Sequence, residues 1–357
     1  MPLGHIDIRF LRNLGDVSLD FDPSLNLIYG DNASGKTSLL EAMYLISTGR
    51  SFRSHRVEHL IQHGQEAFSV RVLNRSGKAQ SEMILHQGRR QRKISINGAE
   101  DIKLSEMTRM LPVMFISPEG HHEFLHDAQL RRSAMDWLVF HVEPEFQALW
   151  SRYRRLLKQR NAALKARASK ASITAWDPEL VRVAEAITDL RRRPLQRLQT
   201  IVAEYADRFD YPDEVSLVFN AGWDVDLGLE GVLKKNLEHD YMRGHTSSGP
   251  HRADLQLCIG DERLQHVASH GQQRLIVSTF RFAQLALFKE SVDRECVLLL
   301  DDLVSELDRH FQRYLLELIN GLEIQTFVSA TEREYLQQFD WPEYALFHVE
   351  QGKIEAL

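Results

Sequence analysis

Cysteine is nearly absent from this chain. The two that occur, Cys258 and Cys296, stand alone inside apolar, strand-like runs, Leu255–Ile259 and Cys296–Leu300. Two isolated thiols exclude a CxxC-type metal site, and their surroundings fit core residues of a reducing compartment. Long apolar runs are missing too. Nowhere do about eighteen apolar residues follow one another, which excludes a membrane-spanning helix. The first residues, Met1 to Ile6, lack the basic and apolar regions of a signal peptide. Cytoplasmic residence is the expectation. The chain also lacks net positive charge: its formal charge of −6 argues against a uniformly basic nucleic-acid binder. No internal repeat, base-reading helix-turn-helix or zinc finger is present. His245, His251 and His270 match no standard ligand spacing and are assigned no metal.

What is there begins with Gly30–Asp31–Asn32–Ala33–Ser34–Gly35–Lys36–Thr37–Ser38, which carries the full phosphate-loop spacing G-x-x-x-x-G-K-[ST]. The apolar residues Leu25, Leu27 and Ile28 precede it as a short buried strand, and Leu39 to Met43 follow as the start of a helix. Backbone N–H groups of such a loop, with the positive end of the helix behind it, hold a polyphosphate. Lys36 supplies a point charge at the β- and γ-phosphates. Thr37 supplies a hydroxyl ligand for Mg²⁺. A polyphosphate and Mg²⁺ are therefore the expected ligands.

At 357 residues the chain has room for two or three domains, or for one large α/β domain with an insertion. Alternation predicts strands at His5–Phe10, Val17–Phe21, Leu25–Tyr29, Phe68–Leu73, Ser81–His86, Lys93–Ile96 and Val113–Ser117. The phosphate-loop helix runs from Lys36 to Thr48 and stops at Gly49. From Ala128 to about Tyr205 the pattern is helical, with Pro144, Pro178 and Pro194 as breaks or helix starts. Strands return at Val215–Phe219, Leu255–Ile259, Cys296–Leu300 and Thr326–Ala330, with helices at Gln272–Lys289 and Asp308–Leu322. The expected architecture is an α/β phosphate-loop lobe built from both chain ends (1–117 and 249–357), interrupted by a mainly helical lobe (118–248). A basic helix, Glu145–Lys170, would form an arm about 40 Å long.

Val297–Leu298–Leu299–Leu300–Asp301–Asp302 reads as a buried strand ending in two carboxylates. Placed next to the phosphate-loop strand, it would deliver Asp301 to the Mg²⁺ shell and Asp302 to the attacking water. Ser305–Glu306–Leu307–Asp308 follows at once. Upstream, Ser269–His270–Gly271–Gln272–Gln273 is a polar turn opening a long helix, a second anion-binding helix start. Each of these is weak alone. Their order and spacing together are specific.

That ordered set resembles the ABC-type ATPases, and the opening residues His5–Phe10, Leu14–Phe21 and Asn26–Gly30, with Glu41–Ala42, resemble their SMC/Rad50-like, DNA-associated branch. Within that branch the chain is most similar to the RecF family of bacterial recombination mediators. The matching residues are Gly49–Arg53, Ser117–Glu119, Arg131–Arg132 with Asp136, Leu156–Asn161, Gly249–Asp254 and Leu299–Asp308, spread over essentially the whole chain. The resemblance implies that the polyphosphate is ATP, and it implies an ABC-type head lobe and a slow, DNA-stimulated ATPase. It implies an ATP-dependent homodimer in which Ser269, Gly271 and Gln272 of one protomer complete the partner's γ-phosphate site. Ser305 and Asp308 would form the D-loop. It also implies binding at single-strand/double-strand DNA junctions and, with RecO and RecR, loading of RecA in repair, replication restart and the SOS response. Four positions depart from the pattern: Ala33 for a loop glycine, His126–Ala128 before the arginine pair, Thr331 where transporters carry a switch histidine, and Asp302 in place of a glutamate.

From Arg152 to Lys170 the chain carries eight cations and no acid, and Arg89, Arg90, Arg92 and Lys93 form a second basic cluster. The long run reads either as a solvated helix face or as a phosphate-contacting surface. Arg154, Arg155, Lys158 and Arg160, with Arg53 and Arg56, are the candidate DNA contacts. Recognition of DNA structure is expected, not of sequence. Two rivals stay open: another SMC-like, ATP-gated DNA-maintenance or defence adaptor, and a phosphate-loop metabolic kinase.

Overall fold

The computed structural model describes residues 3–54, 56–76, 79–100, 102–209, 213–302, 309–337, 341 and 343–357. Its internal contacts divide into two units, residues 1–120 with 293–357, and residues 121–292.

The first unit places the phosphate-loop helix Lys36–Thr48 between two sheets. One is antiparallel, in the order Leu14–Asp20, Leu3–Leu11, Ala67–Ser76, Ala79–Gly88, Arg92–Ile96, Ala99–Glu100. The other runs Lys353–Ala356, Ala345–Glu350, Leu25–Tyr29, Gln325–Ala330, Val297–Leu300, Val113–Ile116, parallel except for the Lys353–Ala356 edge. Parallel strands covered on both faces read as unbroken apolar runs, and Val297–Leu300 is buried at every position. The helix has no polar stripe because it is buried all round: Leu39, Leu40, Ala42, Met43, Leu45 and Ile46 pack with Ile6, Ile8, Val70 and Leu85 of one sheet and Ile28, Leu299 and Phe327 of the other.

The second unit is built around the helix Asp177–Ala206, against which the helices Phe146–Lys165 and His270–Ser291 pack. A small antiparallel sheet, Glu262–Arg263, Asp254–Ile259, Val215–Asn220, completes it. Pro178 opens the long helix, as a proline without an N–H does at no cost in hydrogen bonds. Pro194, expected as a break or a helix start, lies inside it instead. The burial of Leu190, Arg191, Leu195 and Leu198 carries the helix past the missing bond. The basic arm is shorter than expected. Its helix ends at Lys165, where Arg167 takes a left-handed φ of 54°, and Lys170 begins a separate short helix. Twenty residues give about 30 Å.

The sequence placed the lobe boundaries at 117 and 249, whereas the contacts place them at 120 and 292. Residues 249–292 group with the helical unit because Asp254–Ile259 pairs with Val215–Asn220 and His270–Ser291 packs on Asp177–Ala206. The Gly249–Asp254 stretch is the knot of this unit. Arg131 forks Asp254 at 2.8 and 3.0 Å, Arg132 donates to the Ala253 carbonyl, and Arg191 donates to the Pro250 carbonyl and forks Asp136. The Tyr153 hydroxyl meets His251 Nδ1 at 2.7 Å. Burial pushes the Tyr153 phenol up and holds His251 down at about 4, so both are neutral near pH 7. Cys258 and Cys296 are buried free thiols.

Candidate nucleotide site and nucleic-acid interface

The loop between Tyr29 and Lys36 is shaped by backbone that side chains would obstruct. Gly30 has φ 154°, and a Cβ there would lie 2.1 Å from the Val349 carbonyl oxygen. Ala33 carries φ 63°, the small residue tolerating what a glycine would adopt freely. Lys36 is 3 % exposed and its Nζ donates to the carbonyls of Gly30 (2.8 Å) and Asp31 (3.2 Å), so the ammonium lies within the loop.

The acid strand Val297–Leu300 is not the neighbour of the phosphate-loop strand, contrary to expectation. Gln325–Ala330 lies between them, in parallel register with both. The intervening strand does chemical work through Ser329. Its Oγ donates to Asp301 Oδ1 at 2.7 Å and accepts the Asp302 N–H at 2.9 Å. Thr37 Oγ1 donates to the same Asp301 oxygen at 3.3 Å. Burial raises the affinity of Asp301 for its proton. The Ser329 bond opposes that, the Asp302 carboxylate adds to it, and Thr37 and Lys36 lower it again. A desolvated carboxylate beside a second carboxylate and a hydroxyl is an all-oxygen donor set, and it suits a hard divalent cation. The residues present therefore fit Mg²⁺. Asp302 turns the chain out of the strand with φ 48°, a conformation aspartate tolerates better than most residues.

Three supports have roles that the sequence did not assign. Asn13 Nδ2 donates to the Ala33 and Ser34 carbonyls, and its Oδ1 accepts from Ser38 Oγ at 2.8 Å, tying both ends of the loop together. Arg12 forks the fully buried Glu41 with two 2.8 Å bonds, and Ser51 Oγ donates to the same carboxylate. The hairpin Ala345–Glu350/Lys353–Ala356 closes the third side. Gly352, at φ 79° in its turn, donates its N–H to the Ser34 carbonyl at 2.8 Å. The alternating run Ala345–Val349 ahead of Gln351–Gly352 was the available signal for this hairpin. A cleft of about 500 Å³ opens here, lined by the loop, by Thr331–Glu334 and by the hairpin, with Tyr29 stacked on His348. Thr331 thus stands beside the loop.

In the second unit, Ser269 caps the helix His270–Ser291 in a capping box. Its Oγ accepts the Gln272 N–H, and Gln272 Oε1 accepts the Ser269 N–H. Ser269 and Gly271 are exposed, and a Cβ at Gly271 would meet nothing within 4 Å. Among the described residues nothing demands a glycine there. Ser305 and Asp308 lie outside the described residues.

The candidate DNA residues separate. Arg154, Arg155 and Lys158 are exposed on one helix, and Arg53 and Arg56 are exposed in the first unit. Arg160 is a correction. It is fully buried, donating to Asp177 (2.7 Å), Asp240 (2.9 Å) and Thr246 (2.8 Å), and presents no charge to DNA. Part of the acid-free run also finds partners in space. Arg152 pairs with Glu179, Lys170 pairs with Glu238, and Arg167 donates to the Tyr241 carbonyl.

Comparison with known proteins follows this geometry closely. The family model described as RecF/RecN/SMC N terminal domain matches residues 2–355. The DNA replication and repair protein RecF of Shewanella loihica is 36 % identical over 363 residues, covering all of both chains. The solved structure of the recombination mediator protein RecF-ATP in the RecFOR pathway superposes with a TM-score of 0.89 at 26 % identity, covering 100 % of this chain and 97 % of that one. An SMC head bound to the winged-helix domain of ScpA superposes at 0.60 with 13 % identity, a likeness of fold. The chain is an ABC-type ATPase head with a second, largely helical unit, and it belongs to the RecF family of DNA replication and repair proteins, within the RecF/RecN/SMC group.

Proposed function

We propose that the chain is an ATP-dependent, dimerising DNA-binding protein that hydrolyses ATP slowly and faster on DNA. The observation that carries this reading is the meeting of Lys36, Thr37, Asp301 and Ser329 across 264 residues of sequence, in a cradle of loop amides. The backbone from Gly30 to Ser38 holds the phosphates, with Lys36 at the β- and γ-positions. Thr37 and Asp301 hold Mg²⁺, which neutralises charge developing on the transferred phosphoryl group when bound. Asp302 orients the attacking water and accepts its proton. Being one methylene shorter than glutamate, it reaches less far, which fits a slow switch. ATP binding by the RecF-ATP relative supports the cofactor assignment.

Ser269, Gly271 and Gln272 act on the nucleotide of a second protomer. The cap uses the Ser269 oxygen as an acceptor and leaves its O–H to donate to a γ-phosphate. Open space at Gly271 admits close approach. Ser305 and Asp308 are proposed to line the same interface. In this way residues 249–292 work with the ATP-binding lobe of the partner. The DNA substrate is a single-strand/double-strand junction, reached with RecO and RecR on the way to loading RecA. Among the described residues no helix is long and apolar enough to cross a membrane, and we place the protein in the cytoplasm.

The experiment is complementation between broken halves of the site. Ser269→Arg should bind ATP with Lys36 and Thr37 intact, but neither dimerise nor hydrolyse it. Lys36→Met should lose ATP binding. Mixed, the two should regain one composite site per heterodimer, read as dimer mass and ATPase activity. ATP-induced dimerisation by Ser269→Arg alone would refute the trans assignment.

A further inference from the structure

The two basic clusters of the first unit are some forty residues apart in sequence, yet they meet at one cavity. It lies at the Gly49 end of the phosphate-loop helix, about 18 Å along the axis from Lys36, so it is separate from the nucleotide site. Arg50, Ser51 and Ser54 come from the loop after the helix, and Gln87 and Arg92 come from the hairpin Ala79–Gly88/Arg92–Ile96. The cavity measures about 170 Å³. Its floor is apolar: Leu45, Leu60, Phe68 and Leu85 are each at most 5 % exposed. Among the described residues no carboxylate lines it.

The arginines at its rim are placed but not neutralised. Gln87 is buried, donates to the Gly88 and Gln91 carbonyls and accepts Arg92 Nε at 2.5 Å, which fixes the turn and aims the guanidinium. Burial, and next the charge of Arg50, disfavour the Arg92 cation. The same loop also exposes Arg53 and Arg56, and the same hairpin exposes Arg89, Arg90 and Lys93. Among the described residues none of these seven cations has an ion-pair partner. Like charges held together without acids favour a polyanion.

We propose that this cavity takes one unpaired nucleotide of DNA, with its phosphate on Arg50 and Arg92 and its base on the apolar floor. A phosphate alone would leave the floor unused. A base offers an apolar face to that floor, and contact through the face is indifferent to sequence. A base within an intact duplex cannot enter without being extruded. The pocket therefore selects strand that is already unpaired, which is how a protein without a base-reading element would recognise a gap. This inference rests on the DNA-binding reading above.

The test measures binding of the full chain with ATP to three fluorescent DNAs: a gapped duplex with thymidines in the gap, the same gap made abasic, and an uninterrupted duplex. Arg50→Glu and Arg92→Glu, both at exposed positions, should weaken gapped-DNA binding by about tenfold with ATP binding unchanged. Val57→Trp, which fills the cavity from its rim, should erase a roughly tenfold preference for the thymidine gap over the abasic one. Equal affinity of the wild type for the two gaps would overturn the base pocket. Wild-type binding by both glutamate variants would overturn the phosphate assignment. An equal loss of polyglutamate binding would reassign the face to an acidic protein segment. Failure of the wild type to bind any of the three DNAs would instead refute the DNA-binding reading itself.

Discussion

In the second unit, cations that stand together in sequence find acids in space: Arg152 meets Glu179, Arg160 meets Asp177 and Asp240, and Lys170 meets Glu238. In the first unit, the cations of the 50–56 loop and the 89–93 hairpin meet no acid among the described residues, and Arg50 and Arg92 line one cavity. The longer run looked the stronger DNA candidate. Folding supplies it with counter-charges from the helices Asp177–Ala206 and Leu237–Arg243, and it leaves the shorter clusters without them. A run of one sign becomes evidence for a polyanionic partner only after the acids of other elements have been counted.

The largest expected effect sharpens this contrast in stability. Arg160→Ala strands Asp177 and Asp240 inside the second unit and should cost about 3–5 kcal/mol. Arg50→Ala in the exposed 50–56 loop should stay within about 0.5 kcal/mol. Urea denaturation of both variants checks the pair, and equal losses would break the comparison.

Acid should reach the second unit next. Burial, with the charges of Arg281 and Arg274, holds His121 down at about 3, and burial holds His251 at about 4, against an ordinary value near 6.5. Both are neutral when folded, so the unfolded chain binds more protons below pH 6.5. Their contribution is complete above that pH. It is lost as pH falls through 4 for His251 and toward 3 for His121. A His251→Gln variant should show a flatter melting temperature against pH between 6.5 and 4 than the wild type. Parallel profiles would contradict the assignment.

The smallest effect concerns the arm. Replacing Arg154, Arg155 and Lys158 with Glu should leave stability unchanged and lower the salt slope of DNA binding by about 0.9 for each phosphate contact removed. An unchanged slope would make that helix a solvated face and leave the first unit as the sole DNA surface.

How much of this was legible in the sequence follows from how far apart the partners lie. The loop Gly30–Ser38 is contiguous, and its strand and helix flank it, so site and context could be read together. Asp301 was legible because four buried apolar residues announce its strand. Ser329 was not, because a serine inside Thr326–Ala330 acquires meaning only once that strand is known to lie between the other two. Asn13 and the hairpin that turns at Gly352 escaped for the same reason: each acts on the loop from a distant segment. Glu41 stood in view beside the loop, but its partner Arg12 lies 29 residues away. Arg160 was misread because Asp177 and Asp240 lie 17 and 80 residues away. Pro194 was misread because local propensity gave way to burial on the core side of its helix.

The central claim is that ATP, held by Lys36 and Thr37 in one protomer, gates a two-protomer engagement of DNA. Sedimentation of the wild type and of Lys36→Met, each with and without ATP and gapped DNA, tests it most directly. The account predicts a wild-type monomer that becomes a DNA-bound dimer only when ATP is added, and a Lys36→Met protein that stays monomeric under all conditions. A wild type that dimerises on gapped DNA equally well without ATP, or a Lys36→Met protein that follows it, would contradict the account.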